Sequence, residues 1–454
     1  MQRIGTAVPE TAVPEIMQIM KFYDRNEELE ALQEIEKLSA EYAQMSVITG
    51  RRRIGKTTLI KNAFTKIPFV YFFVGKKSES LLCAELTEIV RENLNEDLGD
   101  FTSFPRLFRT LMNLSKRINY TLVLDEFQNF RYVNESIFSD MQDIWDDTKD
   151  ESHINLVVCG SSYLKMKKIF DDKDEPLYGR KTARFKIQPF SIATLKEILS
   201  DFNPNYTPDD LLTLYMITGG VAKYVEQLMT RGATTKIKMI NAVVSLGSYF
   251  IEEGKELLVD ELGKDYGNYF SVLASLASGK TTRGDITANC GFDSGGYLDR
   301  LDKDYDIVKR ARPYLMGEQG KNVQYILEDN FLNFWFRFIF KYRSAVEIQN
   351  MAYVRDKILS DYDTYSGFVL EKYFRQLYRE TGIYNNVTNY WESGQKNEID
   401  LVAVDDNEKK IIIGEVKRKP DKIDLEYLKT KAGKILAHHK KWNVEFIGLS
   451  LKDM

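Results

Sequence analysis

The sequence predicts an α/β multidomain protein, with a mainly parallel sheet first, a helical middle and a smaller α/β unit last. Three observations predict it. Up to residue 190, short apolar runs alternate with amphipathic stretches, the pattern of strands joined by helices. From 191 to 365 apolar residues recur mostly at helical spacing. From 366 onward strand-length apolar runs return.

Residues 1–20 read as a disordered extension. They hold a perfect duplication, TAVPE-TAVPE, at 6–10 and 11–15, too short for a solenoid. Met20, just before "KFYDRNEELEAL", is the expected start of the natural protein. In the first α/β unit, 21–190, Leu29, Leu32, Ile35 and Leu38 recur at three-residue steps and predict a helix. "MSVITG" reads as a strand and "KTTLIKNAF" opens a helix. "PFVYFFVG", "YTLVLDEFQNF" and "INLVVCGSS" read as three more strands, with two helices between the first and second of these. Residues 191–260 are helical, with "TGGVAKYVEQLM" marking a break and a fresh start. Residues 261–320 give three short helical blocks and then "DIVKRARPY", the order of a winged helix-turn-helix. The aromatic stretch in 321–365, "YILEDNFLNFWFRFIFKYRS", reads as an interdomain packing segment or as a plain core helix. Residues 366–454 give a helix, "GFVLEKYFRQLYRE", then strands "NEIDLVAVD", "KKIIIGEVK" and "VEFIGLS", with a lysine-rich helix before the last.

Composition excludes little. The 454 residues carry 63 Lys+Arg against 67 Asp+Glu, so any nucleic-acid surface must be local. Three scattered cysteines and three histidines argue against disulfides and a zinc site. No apolar run reaches membrane-spanning length and no signal-peptide core precedes the folded region. A cytoplasmic protein with reduced thiols and no membrane contact is expected.

The chemistry begins at residue 50. Gly50-Arg51-Arg52-Arg53-Ile54-Gly55-Lys56-Thr57 fits G-x-x-x-x-G-K-[ST], between a strand and a helix that continues with Thr58. The glycines let backbone N–H groups cradle phosphate oxygens. Lys56 neutralises the β/γ charge, the Thr57 hydroxyl binds Mg²⁺, and the helix N-terminus adds partial positive charge. Arg51, Arg52 and Arg53 lie inside the loop and are either nucleotide contacts or residues whose side chains simply face solvent. "TLVLDEF" ends a strand in two carboxylates. Alone, this reads equally as a solvated strand end. Behind a phosphate loop it reads as hydrolysis machinery, with Asp125 holding Mg²⁺ and Glu126 orienting water. Ser161 or Ser162 in "VVCGSS" is either a γ-phosphate sensor or a helix cap. Arg180 and Arg184 are either surface charges or γ-phosphate ligands, in cis or across a subunit interface.

"FYDRNEELEAL", "VITGRRRIGKTTLI", "LVLDEFQ", "VVCGSS", "PLYGRKTARFKIQPFS" and "TGGVAKYVEQL", in this order over residues 21 to 250, resemble the archaeal-type P-loop ATPase family, related to AAA+ and STAND ATPases. The resemblance implies ATP as the nucleotide, a P-loop ATPase domain over 21–190 and a helical lid over 191–260. It also implies a winged helix, an aromatic segment and a C-terminal restriction-endonuclease-like domain of uncharacterised function. The family's usual proline is missing from Gly219-Gly220-Val221-Ala222-Lys223-Tyr224, leaving that turn without its rigid ring.

In 366–454, Asp400, Glu415 and Lys417 form D-x(14)-E-x-K, the core of PD-(D/E)-x-K nucleases. Period-two alternation puts Glu415 and Lys417 on one face, and a hairpin pairing brings Asp400 beside them. Asp400 and Glu415 are then candidate Mg²⁺ ligands, with Lys417 positioning water and Glu371 an added acid from the preceding helix. The alternative is a solvated hairpin face. Basic residues in "KRKPDKIDLEYLKTKAGKILAHHKK" suit a phosphate backbone or a solvated helix. The expected recognition helix carries Asp299, Asp302, Asp304 and Asp306, which repel phosphates; Arg300, Lys303, Lys309, Arg310 and Arg312 partly compensate. Two functions follow: ATP-dependent DNA processing, with or without cutting, or a STAND-type switch acting on a protein partner or as a homo-oligomer.

Overall fold

The computed structural model describes residues 19–263, 266–317, 320, 322–394 and 396–454. The duplication and the candidate start's upstream segment, 1–18, lie outside the described residues. Five parallel strands form the first sheet: β1 (Gln44–Thr49), β2 (Phe69–Phe73), β3 (Tyr120–Asp125), β4 (Ile154–Gly160) and β5 (Ala183–Lys186), in the order β2-β3-β4-β1-β5. Every residue of β1, β3 and β4 is buried. Alternate residues face opposite sides of the sheet: Ile48, Val123 and Val157 enter one core, and Val47, Leu122, Leu124 and Val158 the other. The sequence pattern revealed four of these strands. The fifth is a four-residue edge strand whose half-buried alternation is too short to stand out.

The helical region follows. Helix Pro208–Thr218 starts in a capping box made by Thr207 and Asp210, and ends at Gly219 in the left-handed conformation. Three helices, Tyr266–Ala277, Arg283–Cys290 and Gly295–Lys303, precede an antiparallel hairpin of β6 (Val308–Ala311) and β7 (Gln324–Leu327). The boundary expected at 320/321 therefore cuts a hairpin, and that at 260/261 cuts helix Tyr249–Leu262. The aromatic stretch holds β7 and a run of helical turns whose Phe331, Phe334, Trp335, Phe336 and Phe338 side chains lie in the first core. Trp335 donates its indole N–H to the Ile251 carbonyl at 2.8 Å, and Phe270 meets Trp335, Phe336 and Phe340 edge-on. Gly254 permits this approach, since a Cβ there would stand 2.3 Å from the Trp335 ring.

Helix Met351–Glu380 runs unbroken for 30 residues, so the boundary expected at 365/366 falls in its middle. Its buried side chains, from Val354 to Phe374, join the core shared by the first sheet and the lid. The last sheet, in the order β11-β10-β9-β8, contains β8 (Asn386–Glu392), β9 (Lys396–Asp405), β10 (Lys410–Val416) and β11 (Asn443–Leu449). β8, β9 and β10 form an antiparallel meander. β10 and β11 are parallel, joined by a crossover through helices Leu425–Lys431 and Gly433–His438. The three cysteines are free, with Cys83 and Cys159 buried. Among the described residues no helix is long and apolar enough to cross a membrane.

Candidate nucleotide site and C-terminal carboxylate site

The phosphate loop leaves the carboxyl end of β1, the edge where open α/β sheets bind ligands. Its backbone is left-handed at Arg53 (φ 73°) and Gly55 (φ 98°), and Gly55 opens helix Lys56–Ala63. Lys56 is buried, its Nζ donating to the carbonyls of Gly50 at 2.8 Å and Arg51 at 3.2 Å. Asp125 ends β3. One of its oxygens accepts the Glu126 N–H at 2.9 Å and the other the Tyr71 hydroxyl from neighbouring β2. That hydroxyl also meets Thr57; burial and then Asp125 push the phenol well above its ordinary pKa. Glu126 is left-handed (φ 53°), an uncommon conformation for a side-chain-bearing residue that turns the chain sharply off the strand. Its Oε2 accepts from Ser161 Oγ at 2.9 Å and from Gln128 Nε2.

These groups share one cavity of about 690 Å³, lined by Lys56, Thr57, Thr58, Asp125, Glu126 and Ser161. Arg52, Arg53, Ile54 and Gly55 line it too. Phe22, Tyr23 and Phe190 also line it, with the Arg25 guanidinium 5.4 Å from the Phe190 ring centre. Ser162 instead stands at the N-cap of helix Tyr163–Asp171.

Two of the readings open for the arginines are corrected. Arg51 and Arg53 do not point to open solvent. Arg51 pairs with Asp329 and lies 5.5 Å over the Tyr224 ring; Arg53 grips Glu253 at 3.2 and 3.4 Å. Arg180 does not reach the loop within the chain. Its guanidinium is held by Asp146 at 2.8 Å and by the carbonyls of Pro176 and Tyr178. Arg184 is held by Asp171.

At the other end, the β9–β10 register pairs Leu401 with Gly414, so Asp400 and Glu415 are the next facing positions. Lys417 Nζ stands 3.2 Å from Asp400 and 3.7 Å from Glu415. Asp400 also accepts the Val416 N–H at 2.8 Å. Glu415 accepts the Asp424 N–H at 2.9 Å, and Lys431, a residue the sequence presents as one more solvated lysine, at 3.2 Å. Burial, and then the charge of Asp400, push Glu371 up to about 8; Arg375 at 3.8 Å offsets only part of this. Lys417 is raised: burial works against the charge, but Asp400 and Glu415 outweigh it. This donor set does not fit a metal. Both acids are engaged by lysines and backbone N–H groups. The expected metal roles of Asp400 and Glu415 are thus not met by this arrangement. Arg418, next to Lys417, ties the site to the lid through Asp209 at 2.9 Å and to Ser366 at 2.7 Å.

In the region where the sequence suggests a winged helix, several charges are paired, one of them with β5 of the first sheet. Arg310 pairs with Asp299 and with Asp302 at 3.4 Å, and Asp306 binds Lys186 at 2.8 Å as well as Lys309.

A family model described as an ATPase domain predominantly from Archaea matches residues 22–228, and a model of archaeal and bacterial proteins of unknown function matches 335–435. An uncharacterized protein of Methanocaldococcus jannaschii is 31% identical over 412 residues, covering 88% of each chain. The chain belongs to this archaeal ATPase family. A second uncharacterized protein of that organism is 35% identical over 96 residues, 18% of this chain and 93% of its own. Among solved structures, a Walker-type ATPase of Pyrococcus abyssi aligns at 17% identity with a TM-score of 0.52, over 70% of this chain and 96% of that one; this likeness concerns the fold. In this archaeal ATPase, the second family match begins inside the aromatic segment and spans the long helix, as the shared core does.

Proposed function

We propose that this archaeal ATPase binds and hydrolyses ATP in the N-terminal cavity and couples its nucleotide state to a C-terminal domain that binds nucleic acid. The observation that carries the reading is the convergence of Lys56, Thr57, Asp125, Glu126 and Ser161 on one cavity of about 690 Å³, a volume suited to a nucleotide. Lys56 exchanges two loop carbonyls for phosphate oxygens. Glu126 Oε2 orients the attacking water and takes its proton, while Ser161 holds that carboxylate in place. The hydroxyl of Thr57 and the carboxylate of Asp125, both meeting the Tyr71 hydroxyl, are a hard oxygen set that fits Mg²⁺. Bound there, Mg²⁺ neutralises phosphate charge. Phe22, Tyr23 and Phe190 offer faces to the base. In the C-terminal domain, the exposed Lys419, Lys422, Lys440 and Lys441 of the basic stretch supply positive charge to a phosphodiester. Cleavage is not part of this reading, because Asp400 and Glu415 are neutralised by Lys417 and Lys431.

A second reading is a nucleotide-dependent switch whose C-terminal domain binds a protein partner. The internal pairing of Arg310 with Asp299 and Asp302 favours it, since a helix so neutralised gains little from phosphates. The test is ATP hydrolysis with Mg²⁺, with and without duplex or single-stranded DNA, followed on a gel. DNA-stimulated turnover with intact DNA supports the first reading. Turnover indifferent to DNA supports the second, and Mg²⁺-dependent nicking abolished by Asp400→Ala would restore the nuclease expectation.

A further inference from the structure

Three consecutive residues each hold a different part of the molecule. The Glu328 backbone carbonyl accepts Lys372 Nζ from the long helix, and its carboxylate lies 3.8 Å from the same lysine. Asp329 pairs with Arg51 of the phosphate loop. Asn330 Nδ2 donates to the Tyr215 carbonyl of the lid at 3.0 Å. Asp329 also caps helix Asn330–Phe334, its Oδ1 accepting the Leu332 N–H at 2.9 Å. A parallel tie joins Arg53 to Glu253, which is 1% exposed and also accepts the Tyr224 hydroxyl at 3.0 Å.

We infer that Asp329 and Glu253 are positioning residues of the phosphate loop, and that segment 328–330 links the loop to the helix carrying Glu371. The inference rests on the nucleotide reading of the cavity. A loop with a side-chain-bearing residue, Arg53, in the left-handed region is costly to keep in one shape, and such strain persists where surrounding contacts hold it. Here the anchors are half-buried arginine side chains fixed by carboxylates less exposed than they are. A loop already held in its binding shape loses less conformational freedom when phosphates arrive, so it binds them more tightly. Lys372 follows Glu371 directly, so a shift of the long helix reaches the loop through two adjacent residues, Glu328 and Asp329. Linkage makes the effect reciprocal: whatever the C-terminal domain binds and shifts must alter nucleotide affinity, and nucleotide must alter that binding equally.

The experiment is titration of full-length protein with a fluorescent ATP analogue and Mg²⁺. Asp329→Asn is the central variant, because asparagine still caps the helix while the ion pair loses its charge. Asp329→Asn and Arg51→Ala each weaken binding by about tenfold, and the double variant is no weaker than the weaker single. Lys372→Met, which leaves both partners in place, weakens binding in the same direction. Wild-type affinity in Asp329→Asn, or additive losses in the double variant, would overturn the positioning role. Wild-type affinity in Lys372→Met would overturn the link to the long helix. Equal binding by wild type and Lys56→Ala is a separate failure, that of the nucleotide site, and the inference falls with it.

Discussion

The two candidate sites use the same groups, carboxylates at strand ends and a lysine nearby, in opposite ways. In the N-terminal cavity, Asp125 is met by the Tyr71 hydroxyl, and Glu126 by the Ser161 hydroxyl and the Gln128 amide. These donors are neutral, and among the described residues no cationic side chain forms an ion pair with either acid. Lys56 stands apart on two carbonyls. In the C-terminal sheet, Lys417 and Lys431 sit directly on Asp400 and Glu415, and the charges cancel. The difference teaches that a motif names residues while their donors decide the chemistry. The first site is arranged to act on a charged ligand, and the second to hold its own charges together.

The contrast can be broken by substitution. The largest effect is expected from Glu126→Gln, which removes a proton acceptor. Steady-state ATP turnover should fall by about 10²–10⁴-fold while nucleotide titration stays near wild type. Retained turnover would remove Glu126 from the mechanism. Next, Lys56→Ala leaves phosphate charge unanswered and should weaken ATP binding by roughly tenfold to a hundredfold, from the ~1.5–3 kcal/mol of a charged hydrogen bond. Tyr71→Phe is expected to act more mildly, raising the Mg²⁺ concentration needed for half-maximal turnover severalfold, since Asp125 loses one donor worth about 1 kcal/mol. An unchanged Mg²⁺ curve would make Tyr71 a packing residue.

The C-terminal acids should instead report on stability. Glu371 titrates near 8 in the folded chain against 4.5 for the free group, so the folded state holds its proton more tightly. Its contribution is therefore fully present below about pH 4.5 and is lost as pH rises through 8. Urea unfolding should show stability falling between pH 6 and 9, by on the order of 2 kcal/mol from this group, and Glu371→Gln should flatten that slope. A slope unaffected by the substitution would mean that Glu371 keeps an ordinary acidity. The smallest effect is expected from Arg180→Ala, whose pairing with half-exposed Asp146 is worth at most about 1 kcal/mol.

Much of this organisation was legible because burial writes itself into short windows. "MSVIT", "TLVLD" and "NLVVC" are apolar throughout, since both faces of β1, β3 and β4 are covered. The phosphate loop and its two carboxylates were legible because each stands where such a strand stops. The facing positions of Asp400 and Glu415 followed from alternation together with a hairpin pairing of the two strands. What escaped is long-range. Nothing near Arg51 or Arg53 points to Asp329 or Glu253, some 280 and 200 positions away in the chain. Tyr71 reads as one more apolar strand residue, because only its hydroxyl differs from phenylalanine. Lys431 lies in a lysine-rich stretch that looks solvated, and only the β10–β11 crossover turns it onto Glu415. The fifth strand was too short to register, and an uninterrupted helix gave no break at 365/366.

That helix has a practical consequence. At 30 residues it is a rod of about 45 Å, and it belongs to both halves of the molecule at once. A fragment cut at residue 366 would strip Tyr362 and Tyr365 from the surface they cover, and would begin in the middle of a turn. A fragment beginning before Met351 would keep the rod whole yet bare the side that packs on the lid. Protease digestion of the intact protein should therefore leave the junction between lid and C-terminal sheet untouched. Division of labour in this chain does not coincide with lines along which it can be taken apart.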